Sequence, residues 1–163
     1  MKTQKKRRRE NKTDYSRRIK LLKGGVPRLV FRKSNRYLSA QYIESSEARD
    51  IIMTGMTSKN LKKYGWPEEF KGSLKSTPAA YLLGLAIGKK IIKEDLKTPI
   101  VDFGMIRSLK KNNVFAFLKG VLNAGVKIKC KEENFPSEDK IKGKNLKKDF
   151  SKTFEEIKSK IEK

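Results

Sequence analysis

The sequence predicts an α/β fold: a mixed β-sheet flanked by helices, with an extended basic arm at the N-terminus and a helix at the C-terminus. Three observations lead there. Between residues 28 and 128 the apolar segments alternate strand, helix, strand, helix, strand, a rhythm that implies some parallel pairing. The run Ala79–Ile92 (AAYLLGLAIGKKII) is apolar nearly all round, as a mostly buried helix is. Charge collects instead at the N-terminal end, where residues 1–23 hold eleven Lys or Arg against two acids.

Taken in order, the basic run Lys5–Arg9 is a block of like charge that repels itself and is expected to stay unstructured until a partner neutralises it. Thr13 is a good helix N-cap, with Asp14 in the first turn where its charge suits the helix dipole. Tyr15, Ile19 and Leu22 then form one apolar stripe by which a short helix docks, with Arg17 and Lys20 opposite it. Gly24, Gly25 and Pro27 stop that helix. Arg28–Lys33 and Tyr37–Glu44 read as two strands, joined into a hairpin by the turn residues Ser34, Asn35 and Arg36. Ile51–Thr57 is a candidate third strand, and Lys59–Tyr64 a short helix or turn ended by Gly65-Trp66-Pro67. Ser76-Thr77-Pro78 opens the buried helix, proline suiting a first turn. After Pro99, IVDFGM reads as a buried strand. Asn112 or Asn113 caps the next helix, whose inner face carries Val114, Phe117, Leu118, Val121 and Leu122. Gly125 ends it in a left-handed conformation, and Val126–Ile128 is expected as one more strand. Pro136-Ser137-Glu138 starts a short helix. Phe150, Phe154, Ile157 and Ile161 mark a final amphipathic one. The organisation expected is therefore a basic arm over 1–12, a globular domain over 13–128 with its leading helix at 13–23, and a charged helical extension over 129–163.

The net charge of +23 over 163 residues is spread along the chain. The N-terminal 23 residues carry +9, residues 24–125 carry +10 and the remainder +4. A basic arm on a basic body is the footprint of an extended polyanion, and nucleic acid is the expected partner. Arginines pair bidentately with phosphate and lysines add point charge, which makes Lys5, Lys6, Arg7, Arg8, Arg9, Lys12, Arg17, Arg18 and Lys20 candidate contacts. At the hairpin, Arg28, Arg32, Lys33 and Arg36 continue the series. Tyr15 and Tyr37 stand among these charges, where a ring can stack on an unpaired base; Phe31 is read as core.

Enzyme chemistry finds few players. Histidine is absent and Cys130 is the one cysteine, so neither a disulfide within the chain nor a Cys/His zinc site can form. A metal-dependent nuclease needs two or more convergent acids, yet Asp102 alone lies in a core strand. A structural hydrogen bond to a loop or an arginine suits it better. Gly84-xxx-Gly88-Lys89 resembles a phosphate-binding loop superficially. Its spacing is one residue short, Lys90 stands where Ser or Thr is required, and the glycines sit inside a helix, where they serve close packing. No cofactor and no small-molecule substrate is expected. Nor is a membrane: no stretch approaches about twenty apolar residues, and the basic N-terminus lacks the apolar core of a signal peptide. The protein is expected in the cytosol.

The segment KKRRRENKTDYSRRIKLLKGGVPRLVFRKSN (residues 5–35) strongly resembles the N-terminal region of the archaeal and eukaryotic type of ribosomal protein L eighteen. The likeness continues in KKYGW (Lys62–Trp66), TPAAYLLGLAIGKK (Thr77–Lys90), VDFGMIR (Val101–Arg107), VFAFLKGVLNAG (Val114–Gly125) and FPSEDKIKGKNL (Phe135–Leu146). That family is the large-subunit protein that binds 5S ribosomal RNA, its eukaryotic member being called ribosomal protein L five. The short C-terminal segment points to the archaeal type. The resemblance implies a ribonuclease-H-like topology without catalytic acids and a structural, non-catalytic role. It also implies a grip on 5S RNA by Arg7, Arg8, Arg9, Tyr15, Arg17 and Arg18, with Arg28, Arg32, Lys33, Ser34, Asn35 and Arg36 of the hairpin. Its further partners are 23S RNA and neighbouring large-subunit proteins of the central protuberance, on the cytoplasmic ribosome. The loop Ser108–Asn113 departs from the glycine- or proline-containing loop of the family.

Overall fold

The computed structural model describes residues 3–47, 49–106, 109–146 and 149–162. Met1 and Lys2 of the expected arm, and Ser108 of the departing loop, lie outside the described residues. A helical turn, α1 (Lys6–Arg9), precedes α2 (Tyr15–Lys23). Three antiparallel strands follow: β1 (Arg28–Lys33), β2 (Leu38–Ser46) and β3 (Arg49–Thr57). Then come α3 (Thr77–Lys93), β4 (Ile100–Asp102), α4 (Asn113–Asn123), α5 (Glu138–Lys142) and α6 (Ser151–Glu162). The sheet order is β3-β2-β1-β4, and β4 runs parallel to β1 across the α3 crossover. This is the mixed sheet flanked by helices that the sequence predicts.

Strand periodicity decides which face the core occupies. Leu29 and Phe31 on β1 lie opposite Tyr42 and Ala40 on β2, and all four are buried in the hydrophobic core with α3 and α4. Phe31 stacks at 4.6 Å on Phe117 of α4 and meets Phe103 edge-on at 6.2 Å, so the core reading of Phe31 holds. Arg28, Val30 and Arg32 alternate with these residues and point to the other face. At the far end of the core, Phe150, Phe154 and Ile157 of the C-terminal segment pack against Trp66 and Tyr81, with ring centroids 4.7 and 5.5 Å apart.

The glycines of the apolar helix are explained by packing. A Cβ on Gly84 would run into the Phe117 carbonyl, and one on Gly120 into the Tyr81 carbonyl. α3 and α4 therefore cross backbone to backbone, which no larger residue permits. Asn112 caps α4, its side-chain oxygen accepting from the Val114 amide at 2.9 Å, and Gly125 with φ +105° ends it.

Three expectations change. Asp14, not Thr13, caps α2, its carboxylate accepting from the Arg17 amide at 3.2 Å. The stripe Tyr15, Ile19 and Leu22 docks only in part: α2 has no fully buried residue, Tyr15 and Leu22 are half-buried, and Ile19 is 52% exposed. The sheet face it lies against mixes Val30 with Arg28 and Arg32, and Arg17 and Arg18 add hydrogen bonds to the Gly104 carbonyl and Asp50. Val126–Ile128 forms no strand. The Val126 amide turns back to the Val121 carbonyl at 3.3 Å, and a groove of about 800 Å³ opens beside the free edge of β4 between Ile100–Val101 and Ile128–Lys131.

Replacing Gly84 by Ala should destabilise the fold by about 1–3 kcal/mol through overpacking. Gly72→Ala, where an added Cβ meets nothing within 4 Å, should change little. Urea melts of the two variants check this, and equal stability would refute the tight crossing.

Candidate nucleic-acid interface

The outer face of the sheet is organised by register. Val30 of β1 pairs with Asp102 of β4, which places the Asp102 carboxylate beside the two arginines flanking Val30. Arg32 donates from Nη2 to Asp102 Oδ2 at 2.9 Å and from Nη1 to the Asp102 carbonyl at 2.7 Å. Arg28 Nη1 stands 3.5 Å from the same carboxylate oxygen. The other oxygen accepts from the Gly104 amide at 2.7 Å. Glycine is needed at that turn: its φ is +59°, and a Cβ would lie 3.0 Å from the Arg32 guanidinium carbon. On the opposite side, Arg28 Nη2 reaches Asp50 at 2.7 Å and Ser45 at 3.0 Å, while Ser45 donates to Asp50 at 2.8 Å.

Asp102 is only 6% exposed. Burial pushes its carboxyl up, but the Arg32 and Gly104 hydrogen bonds and the two positive charges outweigh that and hold it below the usual carboxylate range. Asp50 follows the same pattern: burial raises it, and Ser45, Arg28 and Arg18 together bring it down. The structural reading of Asp102 is thus realised twice, by a loop amide and by arginine. Among the described residues no group of three or more His, Cys, Asp or Glu could hold a metal ion.

The arm is not free of structure. Its basic run makes the single turn α1, folded back so that Arg7 Nε donates to Thr13 at 3.0 Å and Arg8 lies 3.4 Å from Asp14 and 3.3 Å from the Met105 sulfur. Lys5 sits 4.7 Å over the Tyr15 ring, and Lys12 pairs with Glu10 at 2.8 Å. Of the run only Arg8 is matched by an acid among the described residues, so the turn forms while most of its charge stays uncompensated. α2 is tied down by Arg17 donating to the Gly104 carbonyl at 3.2 Å and by Arg18 on Asp50 at 2.9 Å.

Of the expected contacts, Lys5, Lys6, Arg7, Arg9, Lys12, Arg17 and Lys20 are exposed on the arm and α2, and Arg8, Tyr15 and Arg18 are half-buried. Arg32, Lys33, Ser34, Asn35 and Arg36 are exposed at the hairpin, with Tyr37 half-buried. The tip is closed by the Ser34 amide donating to the Tyr37 carbonyl at 2.8 Å. Arg28 is the correction: at 3% exposure, with its terminal nitrogens on Asp50, Ser45 and Asp102, it is an internal strut and offers no surface to a partner. Two cations that sequence reasoning passed over join the tip. Lys62 and Lys75 line a hollow of about 390 Å³ with Asn35, Arg36 and Tyr37, Lys62 also holding Glu68 at 2.9 Å. The KKYGW block is the sequence signal that pointed to Lys62.

Arginines and lysines thus gather in two places, around the recess between the arm, α2 and β1 and around the hollow at the hairpin tip. Fold and surface define a strongly basic α/β protein. The model of the family described as ribosomal large subunit proteins 60S L5 and 50S L18 matches residues 1–99. Relatives include the large ribosomal subunit protein uL18 of Thermofilum pendens, 41% identical over 141 residues that cover 86% of this chain and 70% of that protein. The uL18 proteins of Korarchaeum cryptofilum and Methanococcus maripaludis are each 41% identical, over 86% of this chain and 70% and 71% of theirs. The chain belongs to this ribosomal family, whose members are structural proteins, not enzymes.

Asp102→Asn should destabilise the protein by about 3 kcal/mol at pH 7, because two arginines lose their buried partner. The lowered carboxyl contributes stability that is fully present above the unfolded value, about 3.9, and is lost as pH falls through the folded value. The gap between wild type and variant should therefore narrow below about pH 4. Urea unfolding across that range is the check; a gap that stays constant would contradict the ion-paired carboxylate.

Proposed function

We propose that this protein is a structural constituent of the large ribosomal subunit that binds 5S ribosomal RNA and helps attach it to 23S RNA in the central protuberance, beside neighbouring large-subunit proteins of the cytoplasmic ribosome. One observation carries the reading. Cations of the arm, α2 and β1 that match the family blocks, among them Arg7, Lys12, Arg17, Arg18 and Arg32, converge on one recess at the outer face of the sheet, where Arg18 and Arg32 are held by internal ion pairs. An array of that kind neutralises successive phosphates while its rigid frame selects the shape of the RNA that fits. Lys5, Lys6, Arg7, Arg8, Arg9, Lys12, Arg17, Arg18 and Lys20 meet backbone phosphate. Arg32, Lys33, Ser34, Asn35 and Arg36 seat the hairpin, and Tyr15 and Tyr37 offer rings at its margins. No catalytic step is assigned.

The test is a competition titration of the purified chain for 5S RNA at about 0.15 M salt, a physiological ionic strength, against excess transfer RNA and duplex DNA. Selective retention of 5S RNA is the expected outcome, and equal displacement by every polyanion would overturn the reading. Changing Arg7, Arg8 and Arg9 together to Ala should weaken 5S RNA binding and reduce the slope of log affinity on log salt by about 2, given 0.7–0.9 per phosphate contact. An unchanged slope would remove the arm from the interface.

A further inference from the structure

The sheet ends at β4 with its outer edge open. In a parallel ladder, successive residues turn their N–H and C=O groups alternately to one side and the other. The Ile100 amide donates to the Pro27 carbonyl at 2.9 Å, so Ile100 faces the β1 side. The N–H and C=O of Val101 therefore face the opposite way, and among the described residues no strand lies there to pair with them. Val101 is half-buried, so water reaches these groups only in part. An edge of this kind is a template for one more strand.

The groove of about 800 Å³ along this edge supplies the room and the chemistry for it. Ile100, Val101, Phe103, Phe115, Leu118 and Ile128 give it an apolar lining. Its far wall is the segment after α4, where residues alternate: Val126, Ile128 and Cys130 are covered in whole or in part, and Lys127, Lys129 and Lys131 are exposed. All three lysines line the groove, and no acid does; Glu132 and Glu133, next in sequence, lie outside the lining. No ion pair holds any of the three among the described residues. An added strand presents every second side chain on one face, the same step at which these charges recur.

We infer that this groove docks an extended segment of a neighbouring large-subunit protein, added as a strand to β4, in which apolar residues alternate with acidic ones. The inference rests on the reading that sets such proteins beside this chain, and it says how one of them is held. The apolar residues of the segment cover Phe115 and Leu118 of α4, continuing the layer beneath the sheet, while its acids meet Lys127, Lys129 and Lys131. Main-chain bonds to Val101 supply affinity, and the alternation supplies specificity. Charge complementarity selects an acidic segment over a basic or neutral one. A nucleic-acid strand is the poorer match, because it brings neither apolar side chains for the lining nor peptide groups for the open edge.

The probe is a synthetic peptide of alternating valine and glutamate, about eight residues long, within the usual range of a strand, titrated into the full chain. Cys130, the one cysteine of the chain, lines the groove and reports on it: its reaction with a soluble disulfide reagent should slow as the peptide binds. Two control peptides keep the charge, one with its valines and glutamates in separate blocks and one N-methylated at every amide. Both should bind about tenfold more weakly, having lost the alternation or the ladder. Changing Lys127, Lys129 and Lys131 together to Gln should also weaken peptide binding about tenfold, as the loss of three exposed ion pairs does. The reference is Lys152, Lys158 and Lys160 changed to Gln on α6, and the two variants should bind 5S RNA equally. Equal binding of all three peptides, or an unaltered Cys130 rate at millimolar peptide, would overturn the docking site. Selective retention of 5S RNA would then leave the RNA-binding reading standing without it. Loss of 5S RNA affinity in the Lys127, Lys129 and Lys131 variant, with peptide binding unchanged, would give the groove to RNA and overturn the added strand.

Discussion

Two arginines four residues apart on β1 close on a single carboxylate of β4, and that contact governs the outer half of the molecule. β4 is only three residues long and, among the described residues, pairs with β1 alone. Its backbone ladder is short, so the Asp102 carboxylate, tied to Arg28, Arg32 and the Gly104 amide, is what holds the seam where parallel and antiparallel pairing meet. A buried pair of this kind adds little net stability over a hydrophobic equivalent, but losing one member leaves charge stranded. Its value here is placement. Arg32 is held flat against the Gly104 turn, and that turn in turn receives Arg17 of α2 and leads to Met105 under Arg8.

The other face obeys different physics. Small residues let α3 and α4 cross at backbone contact, and aromatic rings from β1, α4 and the C-terminal helix fill the remaining space. A densely packed layer tolerates little deformation, so the sheet above it is a stiff platform. Charges attached to a stiff platform keep their spacing, and fixed spacing is what turns general attraction for a polyanion into recognition of one shape.

Much of this was legible in the sequence because it follows from periodicity. Leu29 and Phe31 alternate with Arg28 and Arg32, which gives the strand and its two faces; Asn112 and Gly125 bracket α4; the spacing of Phe154, Ile157 and Ile161 gives α6. What periodicity does not carry is which surface an element meets. Tyr15, Ile19 and Leu22 form a true helical stripe, yet the face available to α2 holds Arg28, Asp50 and Asp102, so Ile19 stays open and the others are only half covered. Val126–Ile128 alternates as a strand should but has no ladder partner. The site shows the same limit. Arg28 reads as one more basic residue until register places Asp50 and Asp102 on either side of it, seventy-four positions separating it from the second. The positive charge of the arm was plain, whereas its fold depends on Thr13, Asp14 and the distant Met105.

The central claim is that the ion-paired outer face, and not the helical face, receives RNA. Hydrogen exchange of the full chain with and without 5S RNA tests it most directly. Amides of residues 5–23, the hairpin tip at 33–37 and the Phe103–Met105 turn should gain protection on binding, while α5 and α6 stay as they were. Protection concentrated on α6, with the arm and the Gly104 turn unchanged, would contradict the account.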